Sequence, residues 1–261
     1  LNDISFRAIN ILKNVSFIAC EDTRQTRKLL SRYTITNSLI SFNKLNSQKK
    51  IPKLIDELSS GKSIALVSDA GLPSICDPGE DLVKKAKSYE INIICIPGPC
   101  AALTALVSSG LPSSKFTFHG FLPKKQKDRN EILLEIRQSA NTSILYESPH
   151  RLKKLLLELK EFCGSERDIQ IYRELTKKFE ENIGSNIDLI IKFFEGKDII
   201  GEITIVIGGN RNLENSEFDE LVLKEELKYL VEAGLSISAA SKYLAKKNNL
   251  AKSKIYDLYK I

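Results

Sequence analysis

The 261-residue chain has no methionine and no tryptophan, and only two histidines. Without any methionine, the given sequence is expected to lack its true beginning. No apolar run approaches the roughly 20 residues a membrane helix needs, and the polar start Leu1-Asn2-Asp3 is no signal peptide. The five cysteines (Cys20, Cys76, Cys95, Cys100, Cys163) are odd in number and scattered, and none forms a CxxC pair. Together with His119 and His150 they offer no metal-ligand spacing, so reduced thiols in a cytoplasmic protein are expected and a metal is not. Neither GxxxxGK[ST] nor GxGxxG occurs, which argues against a nucleotide polyphosphate ligand.

What is present is ordinary for a folded chain: 42% hydrophobic and 28% charged residues. The length suggests two or three domains. A net charge of +6 tilts the chain towards an anionic partner.

The apolar spacing predicts a helix over Ile4, Ala8, Ile11 and Leu12, capped by Asn2 or Asp3. A buried strand over Val15–Cys20 follows, then Glu21-Asp22-Thr23-Arg24 and a helix through Leu29 and Leu30. Helices are expected at 49–59 and 81–88, and strands at 63–67 and 91–96, the last rich in β-branched residues. Pro97-Gly98-Pro99 breaks the chain before a small-residue helix over 100–109. The pattern restarts with strands at 116–121, 142–147, 169–172 and 202–207 and helices at 128–139, after Pro149 and near 187–194. Continuous apolar strands alternating with helices indicate a parallel sheet covered on both faces. This reading places an N-terminal α/β domain at 1–112, a second at 113–210 and a helical C-terminal region at 217–261, with helices at 218–231, 236–247 and 253–260.

In such sheets ligands gather beyond the carboxyl ends of the strands. Two constrained loops stand there. The loop 69–79 carries acids at 69 and 77, glycines at 71 and 79 and prolines at 73 and 78. The loop 97–102 has only small residues, so a flat ligand can lie against its backbone. Asp69 is suited to a ribose or an ammonium group, or else to capping the turn; for Asp77 the capping role is the expected one. A nucleoside without a phosphate chain fits these loops best.

Two basic stretches suit an RNA-type partner. One is Pro123-Lys124-Lys125-Gln126-Lys127-Asp128-Arg129, expected to be exposed. The other is the C-terminal tail, where residues 241–261 carry six lysines, Lys246, Lys247, Lys252 and Lys254 among them, against one acid, Asp257. A solvated lysine face on a small helical bundle is the alternative for the tail.

Seven segments carry a resemblance when taken in order. They are Ala19-Cys20-Glu21-Asp22-Thr23-Arg24, Val67 to Pro73 with Asp77-Pro78-Gly79, Ile96 to Ala102, His119 to Pro123, Tyr146 to Arg151, Arg173 to Lys177, and Gly201-Glu202. The chain resembles the small-subunit ribosomal RNA methyltransferases of the tetrapyrrole-methylase group over nearly its whole length. The resemblance implies two α/β domains with S-adenosyl-L-methionine in the cleft between them, a short helical C-terminal region, and a homodimer. It also implies 2′-O-methylation of a cytidine in 16S ribosomal RNA at the decoding centre of the small subunit. Carried over by motif, the cofactor would lie against Asp69, Ala70, Gly71 and Leu72 and against Pro97, Gly98, Cys100 and Ala101. Tyr146, Glu202, Ile203 and Thr204 would close it from the second domain.

A ribose hydroxyl is a poor nucleophile, so a base or a cation that favours the alkoxide is expected nearby. The candidates, all in motif segments, are Glu21, Asp22, Arg24, Glu147, Arg173, Glu174 and Lys177. Arg24 and Arg173 could instead pair with acids or hold phosphates, and Glu147 could cap the helix that starts at Pro149. His150 reads as helical and structural.

Two departures from the family stand out. Members begin with a strand and a Gly/Pro-containing loop that here has no counterpart before Asp3, and that strand would lie centrally in the sheet. Ser41-Phe42-Asn43-Lys44-Leu45-Asn46 replaces a segment that carries histidine and acid in the family. Two other functions compete: the same fold acting on a tetrapyrrole or other small molecule, and a non-catalytic RNA-binding relative. The lysine-rich segments argue against the first. An in-frame upstream extension encoding a strand and a Gly/Pro loop would exclude the second.

Overall fold

The computed structural model describes residues 2–210, 220–248 and 250–259. It divides into two compact units, Leu1–Gly209 and Asn210–Ile261.

The first unit contains two sheets. Its first α/β layer runs α1 (Phe6–Asn14), β1 (Phe17–Cys20), α2 (Thr23–Arg32), β2 (Leu39–Ser41), α3 (Ser47–Ser59), β3 (Ile64–Val67) and α4 (Glu80–Ser88). Ser5, and neither Asn2 nor Asp3, caps α1: its hydroxyl accepts the Ala8 N–H at 3.1 Å, the bond a helix start needs. The sheet is wholly parallel in the order β2-β1-β3, with β1 buried at every position. Phe17, Ala19, Phe42, Ile51, Leu54, Ile55 and Leu82 form the core on one face. Leu12, Ile18, Cys20 and Leu30 form it on the other.

The strand expected at 91–96 is not there. The stretch has no regular structure, no strand pairs with it among the described residues, and Ile93 and Ile94 are exposed. β-branched residues favour an extended backbone, but a ladder also needs a partner.

α5 (Ala101–Ser108) leads to the second sheet, made of β4 (Phe116–Phe121), β5 (Thr142–Glu147), β6 (Asp168–Arg173), β7 (Glu181–Asn186) and β8 (Ile203–Ile207). Three helices cover one of its faces: α6 (Gln126–Gln138), α7 (Pro149–Cys163) and α8 (Ile187–Phe193). The strand order is β4-β5-β8-β6-β7. Here the expectation of a parallel sheet fails. Only β4 and β5 run parallel, and β8 lies antiparallel between β5 and β6, with β7 antiparallel at the edge. The short connection from β6 to β7 permits an antiparallel neighbour, whereas a parallel one needs a crossover of a dozen residues or more.

The main core under α6, α7 and α8 includes Leu133, Ile136, Leu152, Leu155, Ile169 and Ile205. On the opposite face Ala102, Ala105 and Leu106 of α5 pack on Ile144, Tyr172 and Val206. This packing carries the 97–102 loop to the second sheet.

Among its described residues the second unit holds three helices: α9 (Glu220–Glu232), α10 (Ile237–Lys247) and α11 (Lys252–Asp257). Leu227, Ala240, Leu244 and Ile255 are its fully buried centre, and Ser236 caps α10. Residues 211–219, which hold the start of the helix expected at 218–231, lie outside the described residues, as does the Lys254 side chain.

Candidate active site

β1 and β3 are parallel neighbours in register from Phe17↔Ile64 to Cys20↔Val67, so their carboxyl ends deliver Glu21-Asp22 and Ser68-Asp69 side by side. The Asp22 N–H donates to Asp69 Oδ1 at 3.1 Å, which ties the two exits together. Asp22 also caps α2 by accepting the Arg24 N–H at 2.8 Å, and it pairs with the Arg24 guanidinium at 2.7 Å. The Arg24 side chain holds the Asp22 carboxyl down to about 2. Lys44 Nζ donates to the Cys76 carbonyl at 2.8 Å and pins the 69–79 loop from the far side.

That loop reaches the second sheet at Gly120 of β4. Gly120 has φ +62°, and a Cβ there would come within 2.8 Å of Cys76 Sγ, so only glycine admits the loop this closely. Tyr146 on β5 stands beside it, its ring 5.0 Å from Phe118 and 5.7 Å from Phe121. Its hydroxyl oxygen accepts the Ala102 N–H at 3.2 Å, which leaves its own proton to donate. Burial, followed by the nearby Cys100, Cys76 and Asp77, pushes Tyr146 up to about 12, so at neutral pH it is a donor and not a base.

Negative charge accumulates in this cleft. Burial, then Asp77 and Asp69, raises the pKa of Glu21. Burial also raises that of Asp77, with Asp69 and Glu202 adding to the effect and Lys44 and Ser68 opposing it. Four carboxylates from three segments, Glu21, the Asp69 and Asp77 pair of one loop, and Glu202, thus form a chain of like charges centred on Asp77. A ligand bearing positive charge fits this environment. A polyphosphate does not.

Residues 1–189 match the family of Tetrapyrrole (Corrin/Porphyrin) Methylases. The chain belongs to that family. The methylase is 41% identical over 265 residues to the ribosomal RNA small subunit methyltransferase I of Bacillus subtilis, covering 100% of this chain and 90% of that protein. It is 40% identical to the protein of the same name from Synechocystis, covering 99% of this chain and 92% of that one. Among solved structures, uroporphyrin-III C-methyl transferase from Thermus thermophilus, complexed with S-adenyl homocysteine, shares the fold at a TM-score of 0.55. Its sequence identity is 13%, over 78% of this chain and 91% of that chain.

In the methylase, the residues expected to line a cofactor divide by position. Asp69, Ala70, Gly71, Pro97 and Gly98 are exposed on the two loops, while Leu72, Cys100 and Ala101 are half-buried. Ile203 and Thr204 are buried inside β8, with Thr204 opposite Tyr146 in the ladder, and Glu202 is exposed just before the strand.

The catalytic candidates separate more sharply. Glu147 is 2% exposed and accepts the Ser148 N–H and the Arg151 guanidinium, so it anchors the start of α7. Arg173 pairs with Glu181 at 2.9 Å across β6 and β7. Glu174 accepts the Glu202 N–H at 2.8 Å and Lys177 Nζ at 3.0 Å; those contacts, the backbone one first, hold its carboxyl below the ordinary value. Gly201 completes this corner at φ +92°, where a Cβ would come within 2.6 Å of Glu174 Cγ. Burial works against the charge of Lys177, but its bonds to Glu174 and Glu202 outweigh that and keep it protonated. Glu21 is the one candidate carboxyl made more basic.

Two residues have surroundings that their local sequence does not announce. Asp77, for which capping of its turn is the expected role, is half-buried near Asp69 and Glu202. Lys44 drew attention only as a departure from the family, and nothing in its local sequence signals that it crosses to the 69–79 loop.

The expected RNA contacts also divide. Lys124, Lys125 and Lys127 are exposed at the start of α6. Arg129 is a correction: it is 4% exposed and bonded to Glu158 at 2.7 Å, so no phosphate reaches it. It shares a helix face with Leu133 and Ile136, and that face is turned into the core. In the second unit Lys246 is exposed, Lys247 pairs with Glu226, and Lys252 donates to Ser238 at 2.7 Å.

Proposed function

We propose that this methylase uses S-adenosyl-L-methionine to methylate the ribose 2′-hydroxyl of a cytidine in 16S ribosomal RNA, at the decoding centre of the small subunit. In this reading it acts in the cytoplasm as a homodimer. Domains 1–112 and 113–210 flank the cofactor, Lys124, Lys125 and Lys127 meet the RNA, and the helical C-terminal region, with Lys246, Lys247 and Lys252, provides a contact of its own. The observation that carries the reading is the cleft where Glu21, Asp69, Asp77 and Glu202 gather opposite a loop of small residues. The names of the relatives give the RNA substrate its support.

Bound S-adenosylmethionine supplies an electrophilic methyl group on a positively charged sulfur. The chain supplies the surroundings. Asp69 and Asp77 attract the cationic end, and the backbone of 97–101 takes the flat nucleoside. Tyr146 offers a neutral O–H donor and holds α5 against the second sheet through Ala102. Glu21, with its raised pKa, is the carboxylate suited to accept the 2′-hydroxyl proton as the oxygen attacks. Glu174 and Lys177 keep the rim of β8 in place. Much of the acceleration then comes from alignment of the reacting atoms.

The test is transfer of labelled methyl from S-adenosylmethionine to small ribosomal subunits, followed by alkaline hydrolysis. Label in an alkali-resistant dinucleotide containing cytidine is expected. Label on a base, or none on RNA, would overturn the reading.

The raised acids also predict a pH dependence. A cationic ligand binds their ionised forms best. Affinity for S-adenosylmethionine should therefore climb as pH rises through the pKa values of Glu21 and Asp77, above the ordinary carboxylate range. Binding there should release protons, seen as a heat that varies with the ionisation enthalpy of the buffer. S-adenosylhomocysteine, whose sulfur is neutral, should show a weaker trend. Identical pH profiles for the two ligands would disprove this account of the acids.

A further inference from the structure

Between Asp22 and Asp56 the chain contains no acidic residue and eight cations, more than the net +6 of the whole protein. Four of the eight, Arg24, Arg27, Lys28 and Arg32, lie on the ten-residue helix α2. At 100° per residue they occupy one side of it, while Thr26 and Leu30, both 3% exposed, face the core on the other. All four are exposed. Arg24 is engaged by Asp22, and among the described residues Lys28 meets the neutral Gln25 at 3.2 Å and no carboxylate. Among the described residues, neither Arg27 nor Arg32 has a carboxylate within ion-pair distance. This contrasts with α7, where Arg151 and Lys154 have carboxylate partners.

A helix face with several cations and no internal anion has its positive charge uncompensated until a polyanion arrives. From Arg24 to Arg32 it extends about 12 Å at 1.5 Å per residue, long enough to follow a strand and not merely a single phosphate. Its position matters as much as its charge. The Asp22 cap ties the start of α2 to Asp69, so the basic face begins at the rim of the cleft. The apolar side of α2 is used by the protein core, which leaves no hydrophobic face for a membrane.

We infer that Arg27, Lys28 and Arg32 grip the phosphodiester backbone of the RNA strand whose ribose enters the cleft. The inference rests on the RNA-methylation reading and adds to it a contact outside the seven motif segments, with Arg24 already committed to Asp22. Recognition here is by charge, since arginine and lysine on a helix surface meet phosphates without reading bases.

The test compares the full-length wild type with Arg27→Gln/Lys28→Gln/Arg32→Gln. A control, Lys84→Gln/Lys85→Gln/Lys87→Gln, carries the same charge change on α4, where Glu80 and Asp81 stand in the first turn. Binding to purified small ribosomal subunits and to naked 16S transcript is measured from 50 to 200 mM salt. Loss of three phosphate contacts should reduce the slope of log affinity against log salt by about 2 to 3, whereas the control should keep the wild-type slope. S-adenosylmethionine binding by calorimetry should be unchanged in both variants, which also reports that they are folded. A wild-type slope in the α2 variant, or an equal fall in the control, overturns the inference and leaves the methylation reading standing. Absence of RNA binding by the wild type removes both.

Discussion

Replacing Asp69 with alanine is expected to weaken S-adenosylmethionine binding by about 10- to 100-fold in titration calorimetry. That range corresponds to the roughly 1.5 to 3 kcal/mol usually lost with a hydrogen bond to a charged group. Two effects contribute. The substitution removes one of the carboxylates that make the cleft attractive to a cation. It also strands the Asp22 N–H, which now donates to Asp69 Oδ1 at 3.1 Å and holds two loop exits together. Asp69→Asn separates them, because the amide oxygen can still accept from Asp22 while the charge is gone. If charge dominates, the asparagine variant will bind as poorly as alanine. If the tie dominates, asparagine will recover most of the affinity. Wild-type affinity in both variants would remove Asp69 from the cofactor site.

The largest expected effect on stability belongs to Arg129→Ala. Its guanidinium lies beneath α6, bonded to Glu158 at 2.7 Å and 3.7 Å from Glu147, with all three residues under 9% exposed. Removing the arginine leaves two carboxylates buried with much of their compensation lost, which typically costs about 3 to 5 kcal/mol. Urea denaturation should show this as a lower midpoint with an unchanged slope. Arg129→Met combined with Glu158→Leu should recover much of the loss, because a packed apolar pair does not need the ionic partner. A loss below about 1 kcal/mol in the alanine variant would mean that water already reaches the network.

These two residues mark how far the sequence could be read. The place of Asp69 at a strand exit was legible because its setting is local: an apolar strand, one acid, then glycine and proline. Arg129 was not. It closes a run of lysines and looks like one more surface cation, and only its helical phase with Leu133 and Ile136 hints that it points inward. Helices and most strands followed from apolar period, and the parallel first sheet from continuous apolar runs.

The second sheet resisted because strand direction is a property of the partner and not of the strand. Its edge strand β7, Glu-Asn-Ile-Gly-Ser-Asn, has no apolar alternation and was overlooked. What seats it is Gly184, where a Cβ would overlap the Gln170 side chain on β6. The reverse error came from Ile91 to Ile96, whose composition favours a strand that has no neighbour to pair with. The basic side of α2 escaped notice because its cations fall outside the motif segments, and their common face is apparent only once the buried Thr26 and Leu30 are located.

The seating of α5 has a consequence for dissecting the protein. By chain order this helix closes the first half, yet its alanines and Leu106 cover Ile144, Tyr172 and Val206 of the second sheet. A cut at the glycine-proline break near residue 112 would strip that sheet of a cover and expose a contiguous apolar surface, the kind that drives self-association. The first half would keep a helix with nothing to rest on. The two α/β halves are therefore not interchangeable modules. They are spliced through one another, and an expression fragment meant to isolate the second sheet must begin ahead of Cys100.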